Sequence, residues 1–380
     1  MKSLLLPLLL LLVLPASAAE YYLWQRKWTA AVRAAAQQPC DGLQVFAAEL
    51  SAKRTERSEA PPELWKREDV TAVFRLRVDA LNSGGFARLA AEIARNGCAN
   101  IQLDADVPER RLAEYAGHLK ALRAALPPQV REFSVTALPC HLAHADFAAV
   151  AAQTDYYVLQ LHGLDVPARI DEPYALIDGT GARTAIRRAR QFKRPFRLAL
   201  PSYAYRLEFD AAGKFAAIAA EGAPPPAVGN RRYRLAAPDP ELLAALIREN
   251  PDLRRIWFRL PVRGDRLCYD RTSVETLDRG ELPSPRLEIE LRRVAPNALE
   301  LWITPCAQLR LEPLELALEW PDRHGEFELA PGTKCGQDKL PFGILPGRLR
   351  VAFPGCGAKV RAATFLVNET NHPAVKEIQP

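Results

Sequence analysis

The chain has 380 residues, with 51 Lys and Arg against 45 Asp and Glu, a formal net charge of +6 and 48% hydrophobic residues. Without Lys2, which belongs to the leader described next, the balance is 50 against 45, spread along the chain, which bears on solubility and identifies no acidic partner. With no basic stripe and no reading motif, nucleic acid is excluded as a partner.

The first residues, MKSLLLPLLLLLVLPASAAE, place Lys2 ahead of a leucine-rich run from Leu4 to Leu14, followed by the small residues Ala16, Ser17 and Ala18. This is the pattern of a secretory signal peptide over residues 1–19, cleaved after Ala18 or Ala19. The run, broken by Pro7 and closed by Pro15, is shorter than the roughly 20 apolar residues of a membrane span. A periplasmic or secreted monomer with no membrane insertion after cleavage is expected.

Apolar runs of strand length follow at 21–24, 43–48, 72–78, 100–104, 133–138, 156–161, 196–201 and 255–260. Helix-period stretches such as FARLAAEIARNG, ERRLAEYAGHLKALRAAL, ADFAAVAAQ and PELLAALIREN separate them. Eight such units over about 250 residues predict an α/β fold, a (β/α)8 TIM barrel over residues 20–280. The competing open doubly wound sheet lacks its glycine-rich phosphate loop after the first strand.

After the seventh run comes a long connection, at about 206–238, with a hairpin expected around AAGK and then the stiff APPPAVG. Such loops serve as lids or binding walls, or are surface insertions, and the sequence leaves both open. Beyond GELPSPR the period changes to two, in RLEIELRR, ALELWITP, LRLEPLELALEW and GRLRVAF, which predicts a small C-terminal β-sandwich over residues 285–380. Trp302 and Trp320 could offer it glycan contacts, but both sit in apolar alternation, which favours bracing.

Seven cysteines in an oxidising compartment imply disulfides and leave at least one thiol unpaired. Cys306, Cys335 and Cys356 cluster, so one bridge is expected among them. With no CxxC pair, a structural zinc site is not expected. Cys140, His141, His144 and Asp146 in PCHLAHAD match no strong metal template, so no metal and no cofactor is assigned.

Strand parity says which residues face inward. Phe74, Leu76 and Val78 alternate with Arg75, Arg77 and Asp79; Ile101, Leu103 and Ala105 alternate with Gln102, Asp104 and Asp106. Further on, Ser134 and Thr136 share the polar parity, as do Gln160 and His162. Successive side chains point to opposite faces, so the apolar set meets the helices and the polar set lines the lumen. Barrel sites lie at the C-terminal strand ends, where these polar groups gather.

Asp104 and Asp106 share a face at about 6.5 to 7 Å along the strand. Close carboxylates repel, so that one holds its proton as an acid while the other stays ionised, as glycoside hydrolysis requires. Without other support, a pairing of Asp104 with Arg75 or Arg77 and a helix-capping Asp106 is the stronger reading.

IQLDADVP is similar to the fourth-strand motif of family-18 glycoside hydrolases, D-x-x-D-x-D-x-E. The resemblance places Asp104 on the middle aspartate, Asp106 on the proton-donating glutamate and Gln102 on an earlier aspartate. DYYVLQLHG is similar to the segment ending Met-x-Tyr-Asp, with Gln160 and His162 at the Met and Tyr positions. FRLALPSYAY resembles G-x-P-x-Y-G through Pro201 and Tyr203, and Trp257 in RRIWFRLP is placed like the tryptophan that floors the sugar site. More closely, YYLWQRKWTAAV, IQLDADVPERRLAEYAGHLKALRAALP, VLQLHGLD and FRLALPSYAYRLEFD together resemble the exported bacterial family called domain of unknown function 3142. That likeness implies a barrel and a surface or periplasmic setting, and no activity.

The resemblance implies a glycoside hydrolase-like exported protein acting on a polysaccharide or oligosaccharide, with Asp106 as general acid and Asp104 as partner. Gln102, Gln160, His162, Tyr203 and Trp257 would shape the sugar site. Glu49 and Asp79 are alternative partners for Asp106 across the mouth, at about 5 to 5.5 Å for retaining or 6.5 to 9.5 Å for inverting chemistry. Asp106 is one methylene shorter than glutamate, and His162 removes a phenol, so chitin-like substrates are disfavoured. A lone lumen His is as often structural, and aromatics at strand ends, Trp24 above all, are also ordinary core. The alternatives are a non-catalytic glycan-binding barrel and a cell-envelope structural or assembly protein.

Overall fold

The computed structural model describes residues 19–163, 165–220, 229–336, 340–341 and 343–378. The leader expected at residues 1–19 therefore lies, apart from Ala19, outside the described residues. Eight parallel strands form a closed ring: Glu20–Leu23, Gly42–Leu50, Val70–Leu76, Asn100–Asp104, Glu132–Ala137, Tyr156–Gln160, Phe196–Pro201 and Arg255–Phe258. Closure comes from the first strand, which pairs with both the second and the eighth.

Local sequence explains the helices between them. Helix Ser83–Asn96 starts where Asn82 accepts from the Gly85 amide at 3.0 Å and stops at Gly97, whose φ of 75° is the left-handed conformation that glycine adopts without strain. Asp178 caps Gly179–Gln191 by accepting from the amides of Thr180 and Gly181. Asp239 followed by Pro240 starts Pro240–Glu249 in the same way. Between the second and third barrel strands no α-helix forms. A short antiparallel strand, Thr55–Arg57, and a 3-10 turn, Pro62–Lys66, stand there, because Pro61 and Pro62 remove the amides a helix through this stretch would need.

The alternation expected from the sequence is the one that forms. Ala72, Phe74, Ile101, Leu103, Phe133, Val135, Tyr157 and Leu159 lie in the large core between strands and helices. The opposite parity builds a smaller inner cluster of Tyr22, Val73, Tyr156, Val158, Ala199 and Ile256. Interleaved with that cluster are the buried polar residues Gln44, Gln102, Asp104, Ser134, Thr136 and Gln160.

After the seventh strand, Tyr205–Phe209 lies between Phe215–Ala219 and Arg232–Ala236 in a separate three-stranded antiparallel sheet. Its first hairpin turns at AAGK, where Gly213 has φ 78° and the Lys214 amide donates to Asp210 Oδ1 at 2.9 Å. Most of APPPAVG falls in residues 221–228, outside the described residues.

The C-terminal part holds two four-stranded antiparallel sheets. They share one core, in which Leu299, Leu301 and Ile303 of one sheet meet Leu314, Leu316 and Leu318 of the other. Trp320 packs edge-on against Phe365 and donates to the Pro346 carbonyl at 2.8 Å, a bracing role. Trp302 stands on the outer face, beside Glu300 and beneath Lys359. Asp270, which caps the last barrel helix Arg271–Asp278, ties the two parts together by accepting from Cys356 Sγ at 2.7 Å and from the Ala307 amide at 3.3 Å. All seven cysteines are free thiols, so the bridge expected among Cys306, Cys335 and Cys356 is not formed; in place of a bridge, Cys356 hydrogen-bonds Asp270.

Candidate functional site

The register of the third and fourth barrel strands sets Arg75 directly beside Asp104. Asp104 is 2% exposed. Its Oδ2 accepts from Arg75 Nη1 at 2.6 Å and its Oδ1 from Thr136 Oγ1 at 2.8 Å. The other arm of the same guanidinium, Nη2, donates to Asp106 Oδ2 at 2.5 Å. Asp106 lies just past the strand end, with its side chain one-third exposed (33%). It caps no helix: the next one, Leu112–Ala125, has no side-chain cap.

This arrangement alters the expected electrostatics. The repulsion expected between two bare carboxylates is relieved by a shared arginine. Burial raises the Asp104 carboxyl above its usual range, Arg75 opposes that rise, and Asp106 adds to it. The proton-holding tendency thus belongs to the buried residue, whereas Asp106 at the opening accepts a charge-assisted hydrogen bond. For Arg75, the pull of Asp104 and Asp106 together outweighs the larger single effect of desolvation and raises its pKa.

Glu49 reaches the same network through a β-bulge. Between Phe46 and Ala48 the second strand gains a residue, so Phe46 pairs with Val73 and Glu49 pairs with Arg75, both inward-facing positions. Glu49 is taken by Arg26 at 2.7 Å and stands 3.8 Å from Arg75 Nε, so it meets Asp106 only through arginine. Asp79 departs from expectation. The third strand ends at Leu76, and the 3-10 turn Val78–Ala80 takes Asp79 out of the alternation. There it is half exposed (51%) and accepts from the Ala52 amide at 3.2 Å, which makes it a loop residue and not a partner across the mouth.

Three other expected residues lie on the inner face. Gln102 accepts from Tyr22 OH at 2.7 Å, leaving its Nε2 buried with no protein partner. Gln160 Oε1 and His162 Nε2 are likewise buried without a partner. His162 packs on Phe258 at 5.3 Å, and burial pushes its pKa down to about 4 against a weaker upward pull from Asp106. Tyr203, only 1% exposed, donates to Tyr205 OH at 2.8 Å. It is therefore a packed support and not the flat open face proposed for a sugar ring.

Trp257 is the clearest correction. It is fully buried in the outer core and donates from Nε1 to Asp278 Oδ1 at 2.8 Å, so it faces the helices. One residue later the parity flips. Phe258 takes the inner position, touching Tyr22, Trp24, His162 and Tyr203 with ring centroids 5.3–5.6 Å apart. Trp24, half-buried, also packs on the fully buried Phe46 at 5.4 Å, so Trp24 and Phe258 form the aromatic wall of the opening with Phe46 as its support. Counting inward positions along RRIWF from the neighbouring strands would have found Phe258.

Of the residues in PCHLAHAD, His141 serves the fold. His141 Nε2 lies 2.8 Å from the Val107 carbonyl and its Nδ1 accepts from the Leu138 amide at 3.2 Å, which pins the loop after the fifth strand to the segment carrying Asp106.

Residues 76–263 match the family model described as Domain of unknown function (DUF3142). They span the stretch from the third to the eighth barrel strand, and so include Asp104, Asp106, Gln160 and His162. No curated protein matches the chain. Among solved structures, the spore cortex-lytic enzyme SleL of Bacillus cereus is similar over 70% of this chain and 74% of its own, with a TM-score of 0.51 and 11% identity. A chitinase from Chromobacterium violaceum is similar over 69% and 99%, with a TM-score of 0.49 and 14% identity. The GH18 chitinase ChiB of Flavobacterium johnsoniae is similar over 64% and 88%, with a TM-score of 0.46 and 9% identity. The likeness to the cortex-lytic enzyme is one of fold.

Proposed function

We propose that the protein is an exported, glycoside hydrolase-like barrel that binds a polysaccharide or oligosaccharide at its C-terminal mouth. The observation that carries this reading is the constellation at that mouth. A one-third exposed carboxylate, Asp106, lies just past the end of the fourth strand, and the half-buried Trp24 and Phe258 line the opening with apolar faces of the kind sugar rings stack on. The unpartnered atoms of Gln102, Gln160 and His162 supply hydrogen-bonding groups toward the lumen. The export half of the proposal rests on the leader alone, and N-terminal sequencing of the mature protein beginning at Ala19 or Glu20 would support it.

Binding is favoured over cleavage because Asp106 Oδ2, an oxygen of the expected proton donor, accepts a hydrogen bond from Arg75. That contact leaves only Oδ1 to present the proton a general acid needs. Hydrolysis is kept as a second reading because Asp104 and Asp106 stand one residue apart beside one opening, and moving Arg75 aside would free Asp106. Oligosaccharides are titrated calorimetrically into the wild type and Asp106→Asn, with reducing ends assayed in parallel. Binding by the wild type without release of reducing ends supports the binding reading. Release that disappears in Asp106→Asn establishes the hydrolytic one, and an absence of binding to any neutral or acidic oligosaccharide sinks both.

A further inference from the structure

The expectation of charge spread along the chain without a basic stripe fails in one stretch. Between Asp178 and Glu208 there is no acidic residue, and residues 183–197 hold seven basic ones, six of them arginine. Helix Gly179–Gln191 buries Ala182, Ala185, Ile186 and Ala189 against the barrel. Its period therefore leaves Arg187, Arg188 and Arg190 exposed, and Lys193 and Arg194 follow on the exposed turn beyond it.

Three of the seven are matched by carboxylates: Arg183 with Glu249 at 2.6 Å, Arg190 with Asp252 at 2.8 Å and Arg197 with Glu20 at 3.0 Å. Arg187, Arg188, Lys193 and Arg194 make no close ion pair among the described residues. Arg187 donates to Thr184 Oγ1 at 3.0 Å and Arg194 to the Ala152 carbonyl at 3.5 Å. The helix dipole favours cations in the last turn, which accounts for Arg188 and Arg190 in part, but Arg187 precedes that turn and Lys193 and Arg194 lie past the helix end.

The ridge runs into a cavity of about 580 Å³ lined by Arg190, Arg194, Arg197 and Arg254, with Tyr156 and Phe196 as its apolar walls. Of its three acidic residues, Asp155 is held by Arg123 at 2.7 Å, Asp252 by Arg190, and Glu132 stands 3.8 Å from Arg197; Arg197 and Arg254 also pair with Glu20, which leaves Arg194 as the lining arginine without a close ion pair among the described residues. Six arginines to one lysine is the composition for oxyanions, since the guanidinium fork meets carboxylate, sulfate or phosphate with two parallel hydrogen bonds. No large apolar side chain is exposed between residues 179 and 197, so the face lacks the hydrophobic anchor that a lipid-inserting surface carries. From Arg183 to Arg190 the helix gives a basic track of about 10 Å, which Lys193 and Arg194 extend beyond its end.

We infer that this face binds a linear anionic polysaccharide, laid along residues 183–197 and gripped by one of its carboxylate, sulfate or phosphate groups in the arginine-lined cavity. The inference draws on the carbohydrate reading of the mouth only for the polymer being a glycan; the face is a separate site on the outside of the barrel.

The test uses the full mature chain and four probes: polygalacturonate, dextran sulfate, neutral dextran, and phosphatidylglycerol–phosphatidylcholine vesicles. Both polyanions should bind and neutral dextran should not, with affinity falling at least roughly tenfold as salt rises from about 50 to about 200 mM. The variant Arg187→Gln/Arg188→Gln/Arg194→Gln should bind polyanions at least roughly tenfold more weakly. Asp106→Asn should bind them as the wild type does. Unchanged binding by the triple variant, or vesicle binding without polyanion binding, overturns the inference. So does loss of polyanion binding in Asp106→Asn, which would put the polymer at the mouth. If polyanions bind through the ridge while neutral oligosaccharides bind nowhere, the mouth reading fails and this one stands.

Discussion

Arg75 and Asp106, on adjacent segments of the barrel wall, meet at 2.5 Å between Nη2 and Oδ2, while the other arm of the same guanidinium holds the buried Asp104 at 2.6 Å. One side chain thus decides the behaviour of both carboxylates. Its removal affects them differently, because Asp104 cannot turn to water whereas Asp106 can.

Arg75→Met should destabilise the fold by about 3 kcal/mol, because it leaves Asp104 buried without its counter-charge. Arg75→Met/Asp104→Asn should recover part of that loss. Urea denaturation of the two variants and the wild type checks this, and equal stability of all three would show that solvent already compensates Asp104.

His162 should make the protein acid-sensitive. Its folded pKa of about 4 lies below the unfolded value of about 6.5, so the unfolded state binds the extra proton first. The stability from burying the neutral ring is complete above pH ~6.5 and falls as pH drops toward 4, by up to about 3 kcal/mol. His162→Gln should flatten that dependence in thermal melts between pH 4 and 7.

Asp104 contributes with the opposite sign. A carboxyl raised in the folded state binds a proton there more tightly than in the unfolded chain. Its contribution is complete below an unfolded pKa of about 3.9 and declines as pH rises through the folded value. The stability of the wild type relative to Asp104→Asn should therefore fall as pH rises from about 4, and a difference independent of pH would show that Arg75 cancels the shift.

Trp257→Phe should cost stability and spare binding. It removes the hydrogen bond to Asp278 and leaves a small void in the outer core, together about 1–3 kcal/mol, on the face of the strand turned away from the lumen. Phe258→Ala should do the reverse at the mouth, weakening carbohydrate binding more than tenfold by removing the ring that touches Trp24 and His162. Calorimetric titration beside chemical denaturation separates the two effects.

Asp270→Ala should loosen the join between the barrel and the C-terminal sheets. It deletes the cap of Arg271–Asp278 together with the contacts to Cys356 and Ala307, a loss of about 1–2 kcal/mol. Limited proteolysis should then cut near residues 279–286 faster than in the wild type.

The sequence alone carried the eight strands, most of the helices and the face that most strand residues take. Those follow from local period and local caps: IQLD has only one way to place Ile101 and Leu103 against helices, and that puts Gln102 and Asp104 inside. The same parity carried past a strand end misplaced Asp79, because the chain leaves the extended state after Leu76. One step of parity on the eighth strand separated Trp257, which the resemblance singled out, from Phe258, which the barrel turns inward. The bulge that swings Glu49 toward Arg75 leaves no mark in LQVFAAEL, since it depends on how the second strand meets the third. Arg75 was legible only as a candidate partner of Asp104. Its hold on both Asp104 and Asp106 depends on strand register and on how far each carboxylate lies from water. Those are properties of the assembled ring, where residues distant in the chain compete for the same charge.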